Sequence, residues 1–124
     1  AIDGMDRVSF EILLPHVIAL PGRTPVNVNT ASVQVLQSLG PNIDLGTAEG
    51  LMQMRENGGF ADYSGVFAPL VAPDLVPWIS ETSDYFQLKA VVQIDTVRVS
   101  LFTVLHRNAS NGAVTPILRS LGTI

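Results

Sequence analysis

After Ser80 the chain changes period, and this change dictates most of what it can become. From Tyr85 to Ile94, Phe86, Leu88, Ala90, Val92 and Ile94 fall on one side, and Tyr85, Gln87, Lys89 and Gln93 on the other. An extended backbone sends successive side chains to opposite faces, so this run is a strand with one apolar face. Asp95-Thr96 is a tight turn, and Val97 to Arg107 is a second strand with Val97, Val99, Leu101 and Leu105 on one face. Its other face still carries Phe102 and Val104, which predicts a central strand covered on both sides. Asn108 to Gly112 forms a hairpin loop, and Ala113 to Leu118 a third strand. Pro116 has no N–H for a ladder, so that strand belongs at an edge. Three strands with two half-apolar faces do not make a self-sufficient sheet. The expectation is that a helical unit covers one face and a long helix N-terminal to this chain covers the other.

The first eighty residues follow helix punctuation instead. Asp6 suits an N-cap, and Val8, Phe10, Ile12, Leu13 and Leu14 make a short apolar helix that Pro15 stops or kinks. Pro21 to Pro25 is a loop. Asn29 or Thr30 can cap a second helix, whose Val33, Leu36 and Leu39 lie on one face, and Gly40 suits the left-handed position after its end. Asp44 or Thr47 opens a third helix through Ala48, Leu51, Met52 and Arg55, closed by Asn57-Gly58-Gly59. Phe60 to Phe67 reads as a turn plus a short helical turn. Pro69, Pro73 and Pro77 forbid a long element over 68–78, which is expected to be an ordered connector pinned by Trp78. The fold class is therefore α+β: a helical domain over 1–80, then antiparallel strands over 81–124.

Charge narrows the function. Only 15% of residues are charged while 47% are hydrophobic, which is too apolar for a disordered chain. The shortage of surface charge predicts that another chain, or another part of the same protein, covers some of this surface. Seven Lys and Arg against eleven Asp and Glu leave a net charge of −4. Nucleic-acid binding rests on cations neutralising phosphates, so this balance speaks against it. Cysteine is absent, which excludes disulfides and thiolate metal sites. No apolar run approaches the roughly 20 residues of a membrane helix. Ala1 is not an initiator Met and the chain opens inside a helix-start motif, so it reads as a fragment.

No constellation for catalysis is visible. His16 and His106 lack a second ligand at metal spacing and read as packing or interface residues. No serine sits in a Gly-x-Ser-x-Gly elbow, and Gly58-Gly59 is a helix stop rather than a phosphate cradle. Glu81 and Asp84, with Asp74 upstream, could offer oxygens to calcium, but the stretch lacks the twelve-residue loop pattern and reads as a turn entering a strand. A binding or assembly module remains, with the aromatic residues Tyr63, Phe67, Trp78, Tyr85 and Phe102 as candidate partner contacts.

The most specific motif is Asn27-Val28-Asn29-Thr30-Ala31 followed by Arg55, Gly59 and Phe60. It resembles the helix-hairpin-helix (SAM-like) pattern. DNA-binding versions present backbone N–H groups of a Gly-hydrophobic-Gly hairpin to a phosphate. Here Gly40-Pro41-Asn42-Ile43-Asp44 stands in its place, where Pro41 removes a donor and Asp44 repels phosphate. The alternative of a helix-hairpin-helix DNA-binding module is thereby disfavoured.

Three stretches together carry a wider resemblance: Leu14 to Pro21; Thr24 to Ala31 with Arg55 to Phe60; and Ser83 to Ala90 followed by a strand ending Leu105-His106-Arg107. The arrangement is similar to minor pseudopilin K of bacterial type II secretion systems. The resemblance implies a mostly helical domain inserted into a pilin-like fold whose closing strands lie within 83–121. It implies a subunit at the tip of a periplasmic pseudopilus, in complex with minor pseudopilins I and J, with secreted substrates as further contacts. It implies no catalytic residues and no required cofactor, with calcium possible. Membrane attachment at the inner membrane would come only through an N-terminal helix absent from this sequence.

Overall fold

The computed structural model describes residues 3–123, excluding the side chain of Thr123. It divides into two compact units, one ending at Thr82 and the other beginning at Ser83.

In the first unit, α1 (Arg7–Leu13) begins at Asp6, whose carboxylate accepts the Ser9 N–H at 2.7 Å. Pro15 cannot donate within a helix, and the chain tightens into a 3₁₀ turn over Leu14–His16. A two-residue strand β1 (Val26–Asn27) precedes α2 (Val33–Gln37), α3 (Leu45–Arg55) and α4 (Tyr63–Phe67). After a second 3₁₀ turn over Val76–Trp78, β2 (Ile79–Ser80) pairs with β1 in parallel, Val26 against Ile79 and Asn27 against Ser80. Parallel strands need a long crossover, and the three helices between them supply it. Their apolar sides converge on a core of Val28, Leu36, Ala48, Leu51, Phe67 and Ile79. Phe60 and Phe67 meet there edge to face, ring centroids 5.1 Å apart.

Several local expectations are corrected. The cap of α2 is Ser32, whose hydroxyl accepts the Val35 N–H, and not Asn29 or Thr30. Thr30 and Ala31 are held in a turn by the Asn27 carbonyl, so the helix cannot start before them. Gly40 is not left-handed; the left-handed glycines are Gly4, Gly58, Gly59 and Gly112. Gly40 is needed because a Cβ there would run into the backbone carbonyl of Leu70. Trp78 does not pin the connector: it is 38% exposed, while Val71 and Ile79 on either side are buried. The β1–β2 ladder itself is too short to leave a periodic signal.

The second unit is a meander of β3 (Tyr85–Ile94), β4 (Val97–Arg107) and β5 (Val114–Thr123), in the order β3-β4-β5. Asp95 turns the first hairpin at φ 52°, a conformation Asp tolerates better than most residues. Ten successive pairs, Tyr85 with His106 through Ile94 with Val97, join β3 to β4 without interruption. The pairing of β4 with β5 slips between Val104 and Leu105, beside Pro116. This bulge absorbs the missing donor, and beyond it β5 runs five residues past the expected end at Leu118. The central position predicted for β4 and the edge position predicted for β5 are both present.

Candidate interaction surface

The Asn-x-Asn-Thr motif spends its polar groups inside the first unit. Asn27 Oδ1 accepts the Asn29 N–H at 2.9 Å, and the Asn27 carbonyl accepts from both Thr30 and Ala31. Asn29 reaches in two directions. Its Oδ1 accepts the Phe60 N–H and its Nδ2 donates to the Glu81 carbonyl, each at 3.1 Å. Arg55, in the last turn of α3, donates from Nη1 to the Val28 carbonyl at 2.8 Å. Gly58 and Gly59 adopt φ of 106° and 90°, which brings the backbone at Phe60 back to Asn29. A Cβ on Gly59 would lie 3.0 Å from Asn29 Oδ1. Asn27, Asn29, Thr30, Arg55, Gly59 and Phe60 thus form one brace between the β1 region, the end of α3 and the exit of the unit.

Asp44, at the start of α3, accepts the Thr47 N–H at 2.8 Å. That bond, like the Ser9 bond to Asp6, stabilises the ionised carboxylate and holds each carboxyl below its ordinary range. His16 Nδ1 shares a 3.2 Å hydrogen bond with Ser32 Oγ, which ties the segment after α1 to the cap of α2. His106 lies against Tyr85, its register partner, with ring centroids 4.9 Å apart. Among the described residues no cluster of three His, Asp or Glu side chains could hold a metal. Glu81 is exposed and Asp84 half-buried; the contact each makes here is through its backbone carbonyl, to Asn29 and to the Arg107 N–H.

The five aromatic candidates divide. Phe67 is fully buried, edge to face with Phe60, so its ring is withdrawn from the surface and it is corrected to a core residue. Tyr63 is half-buried and packs against the same core. Trp78 is exposed, with the Arg23 guanidinium 5.7 Å from its ring centre. Tyr85 and Phe102 share one face of the sheet, where the Lys89 ammonium lies 5.4 Å from the Phe102 ring.

The opposite face of the sheet is the most apolar surface. The register places Phe86, Leu88, Val92 and Ile94 of β3 beside Val97, Val99 and Leu101 of β4 and Leu121 of β5. Ile94 is 70% exposed, Val97 56% and Leu121 75%. Isolated exposed apolar residues are ordinary; a contiguous set across three strands makes this face a candidate interaction surface. Alternation in β3 and β4 made this face legible. The Leu121 contribution was missed because the third strand was ended at Leu118. A second exposed apolar group, Val8, Phe10, Ile12, Leu13 and Leu14, surrounds α1.

A helical unit closed by a short ladder, followed by an antiparallel sheet with an exposed apolar face, defines an α+β chain. Residues 26–81 match the family model for type II secretion system protein K. The matched stretch begins at β1 and ends one residue after β2, so it coincides with the braced helical unit. Over 121 residues, 95% of this chain, the sequence is 31% identical to the type II secretion system protein K of Pseudomonas aeruginosa. Both comparisons point to the type II secretion system protein K family as the one this chain resembles. It spans 36% of the length of that relative.

Proposed function

We propose that this chain is part of a structural subunit at the tip of the type II secretion pseudopilus, which binds minor pseudopilins I and J and so initiates or caps the fibre. The observation that carries this reading is the exposed apolar face of β3, β4 and β5, in a chain that resembles the protein K family. A fibre subunit works by burying such a face against its neighbours; Trp78 on the helical unit, and Tyr85 and Phe102 on the other face of the sheet, are further contacts in this reading. The helical unit acts as a rigid helix-hairpin-helix-like scaffold inserted in a pilin-like fold, with secreted substrates as possible further contacts. The mechanism is binding and asks for no catalytic group; calcium at Glu81 or Asp84 would be an accessory. The chain acts at the periplasmic face of the inner membrane. Among the described residues no helix is long and apolar enough to cross a membrane; anchoring belongs to an N-terminal helix outside this sequence.

Size-exclusion chromatography with light scattering, on this chain mixed with the soluble parts of pseudopilins I and J, tests the reading. A stable ternary complex is expected. A monomer that ignores both partners and retards duplex DNA in a salt-dependent way would overturn it.

A further inference from the structure

Six asparagines occur in the chain, and two of them, Asn57 and Asn111, are followed by glycine. Such a pair is chemically weak, because glycine has no side chain to keep its own backbone nitrogen away from the asparagine amide carbon. The other four asparagines precede Val28, Thr30, Ile43 and Ala109, each with a side chain in the way.

The two asparagine–glycine pairs stand in opposite circumstances. In the loop between β4 and β5, Asn111 Oδ1 accepts the Ala113 N–H at 2.9 Å, and the Gly112 N–H is committed to the Asn108 carbonyl at 2.8 Å. Both reacting groups are held there. After α3, neither the Asn57 side chain nor the Gly58 N–H has a hydrogen-bond partner among the described residues. Both residues are exposed. Nothing lies within 4 Å of the place where a Gly58 side chain would begin, so the Asn57 amide has room to approach.

We propose that Asn57 is a spontaneous modification site whose conversion loosens the brace at the end of α3. The Gly58 nitrogen attacks Cγ of Asn57. An N–Cγ bond forms, the Cγ–Nδ2 bond breaks, and ammonia leaves with the proton that the nitrogen loses. Water then opens the succinimide ring. Opening at Cγ gives aspartate; opening at the main-chain carbonyl gives isoaspartate, in which the backbone runs through the β-carbon. One water is consumed and one ammonia released, with no oxidation or reduction. The inference does not rest on the proposed place in the fibre.

Position 57 lies inside the loop that the Gly59 N–H closes on the Arg55 carbonyl at 2.8 Å. Arg55 also serves the Val28 carbonyl, and Phe60 offers its N–H to Asn29. Isoaspartate lengthens the main chain within that loop, so these bonds do not all keep their geometry. Either product also adds a negative charge beside Glu56, at the C-terminal end of α3, where the helix dipole disfavours it.

Trypsin sorts the asparagines: 24–55 carries Asn27, Asn29 and Asn42, 56–89 carries Asn57 alone, and 108–119 carries Asn108 and Asn111. The full 124-residue chain is aged at neutral pH, with and without urea, digested briefly in mild acid and read by mass spectrometry. Isoaspartate is located by its labelling with an isoaspartyl methyltransferase. In the folded chain 56–89 should convert several-fold faster than 108–119, and in urea, where both pairs are released, the two rates should converge. The aged chain should have a lower urea midpoint than the fresh one, and Asn57→Ser, at an exposed position, should show no loss on ageing. Equal rates for the two peptides in the folded chain, or an aged chain that carries isoaspartate at 57 and keeps its midpoint, would overturn the proposal.

Discussion

The side-chain oxygen of Asn29 accepts the backbone N–H of Phe60 at 3.1 Å, across thirty-one positions of sequence. The same amide holds the Glu81 carbonyl, so one side chain fixes the place where α3 ends and the place where the unit closes. The Asn29→Ala variant leaves the Phe60 N–H without its partner in a half-buried position. The expected cost is about 1–3 kcal/mol, read as a lower denaturant midpoint. Asn29→Asp keeps the acceptor and loses only the donor to Glu81, and should cost less.

Arg55 makes the neighbouring test. Its guanidinium serves the Val28 carbonyl, in a residue with no exposed surface. Arg55→Ala should destabilise by about 1–3 kcal/mol, since a buried acceptor loses its donor. Arg55→Lys should recover part of this in the same denaturation series, as a single ammonium can reach a carbonyl without the planar fork of Arg.

Gly40→Ala separates close approach from backbone conformation. Because φ there is negative, the alanine is not strained by its own dihedral; the clash is with the Leu70 carbonyl. The loop carrying Leu70 must shift, with an expected cost of about 1–3 kcal/mol. Restoration by a compensating change in residues 69–72, and not by a change next to Gly40, would be the signature in thermal melts.

The acid limb of stability should carry a signature of Asp6 and Asp44. Their folded-state carboxyls lie below the ordinary range because the Ser9 and Thr47 N–H groups bond the ionised form. The caps are therefore fully effective above the unfolded carboxylate pKa, and their contribution is lost as pH falls through the depressed folded values. Both groups are exposed, so the effect is modest. Asp44→Asn retains a capping oxygen without a titrating proton, and should flatten the pH dependence of the urea midpoint in acid.

How much of this was legible depended on the range over which each signal acts. Alternation in β3 and β4 is written residue by residue, so Tyr85–Ile94 and Val97–Arg107 are strands at their expected bounds. Asp6, Asp44 and Pro15 act within one helical turn and are also readable. The Ser32 cap was hidden because the turn that delays the helix depends on the Asn27 carbonyl. The role of Gly40 was hidden because Leu70 lies thirty residues away. The burial of Phe67 likewise depends on tertiary packing, which an aromatic in a short helical turn does not announce.

In the proposed function the apolar face of the sheet is the surface by which this chain joins its neighbours. Binding of the soluble parts of pseudopilins I and J, titrated by calorimetry against the unaltered chain and against Val92→Lys with Val99→Glu, an opposite-charge pair across the ladder, tests it most directly. Val92 and Val99 are register partners on that face and are both exposed, so the double variant should melt close to the unaltered chain. The double variant is expected to lose binding while keeping its fold. Undiminished affinity in a folded double variant would contradict it.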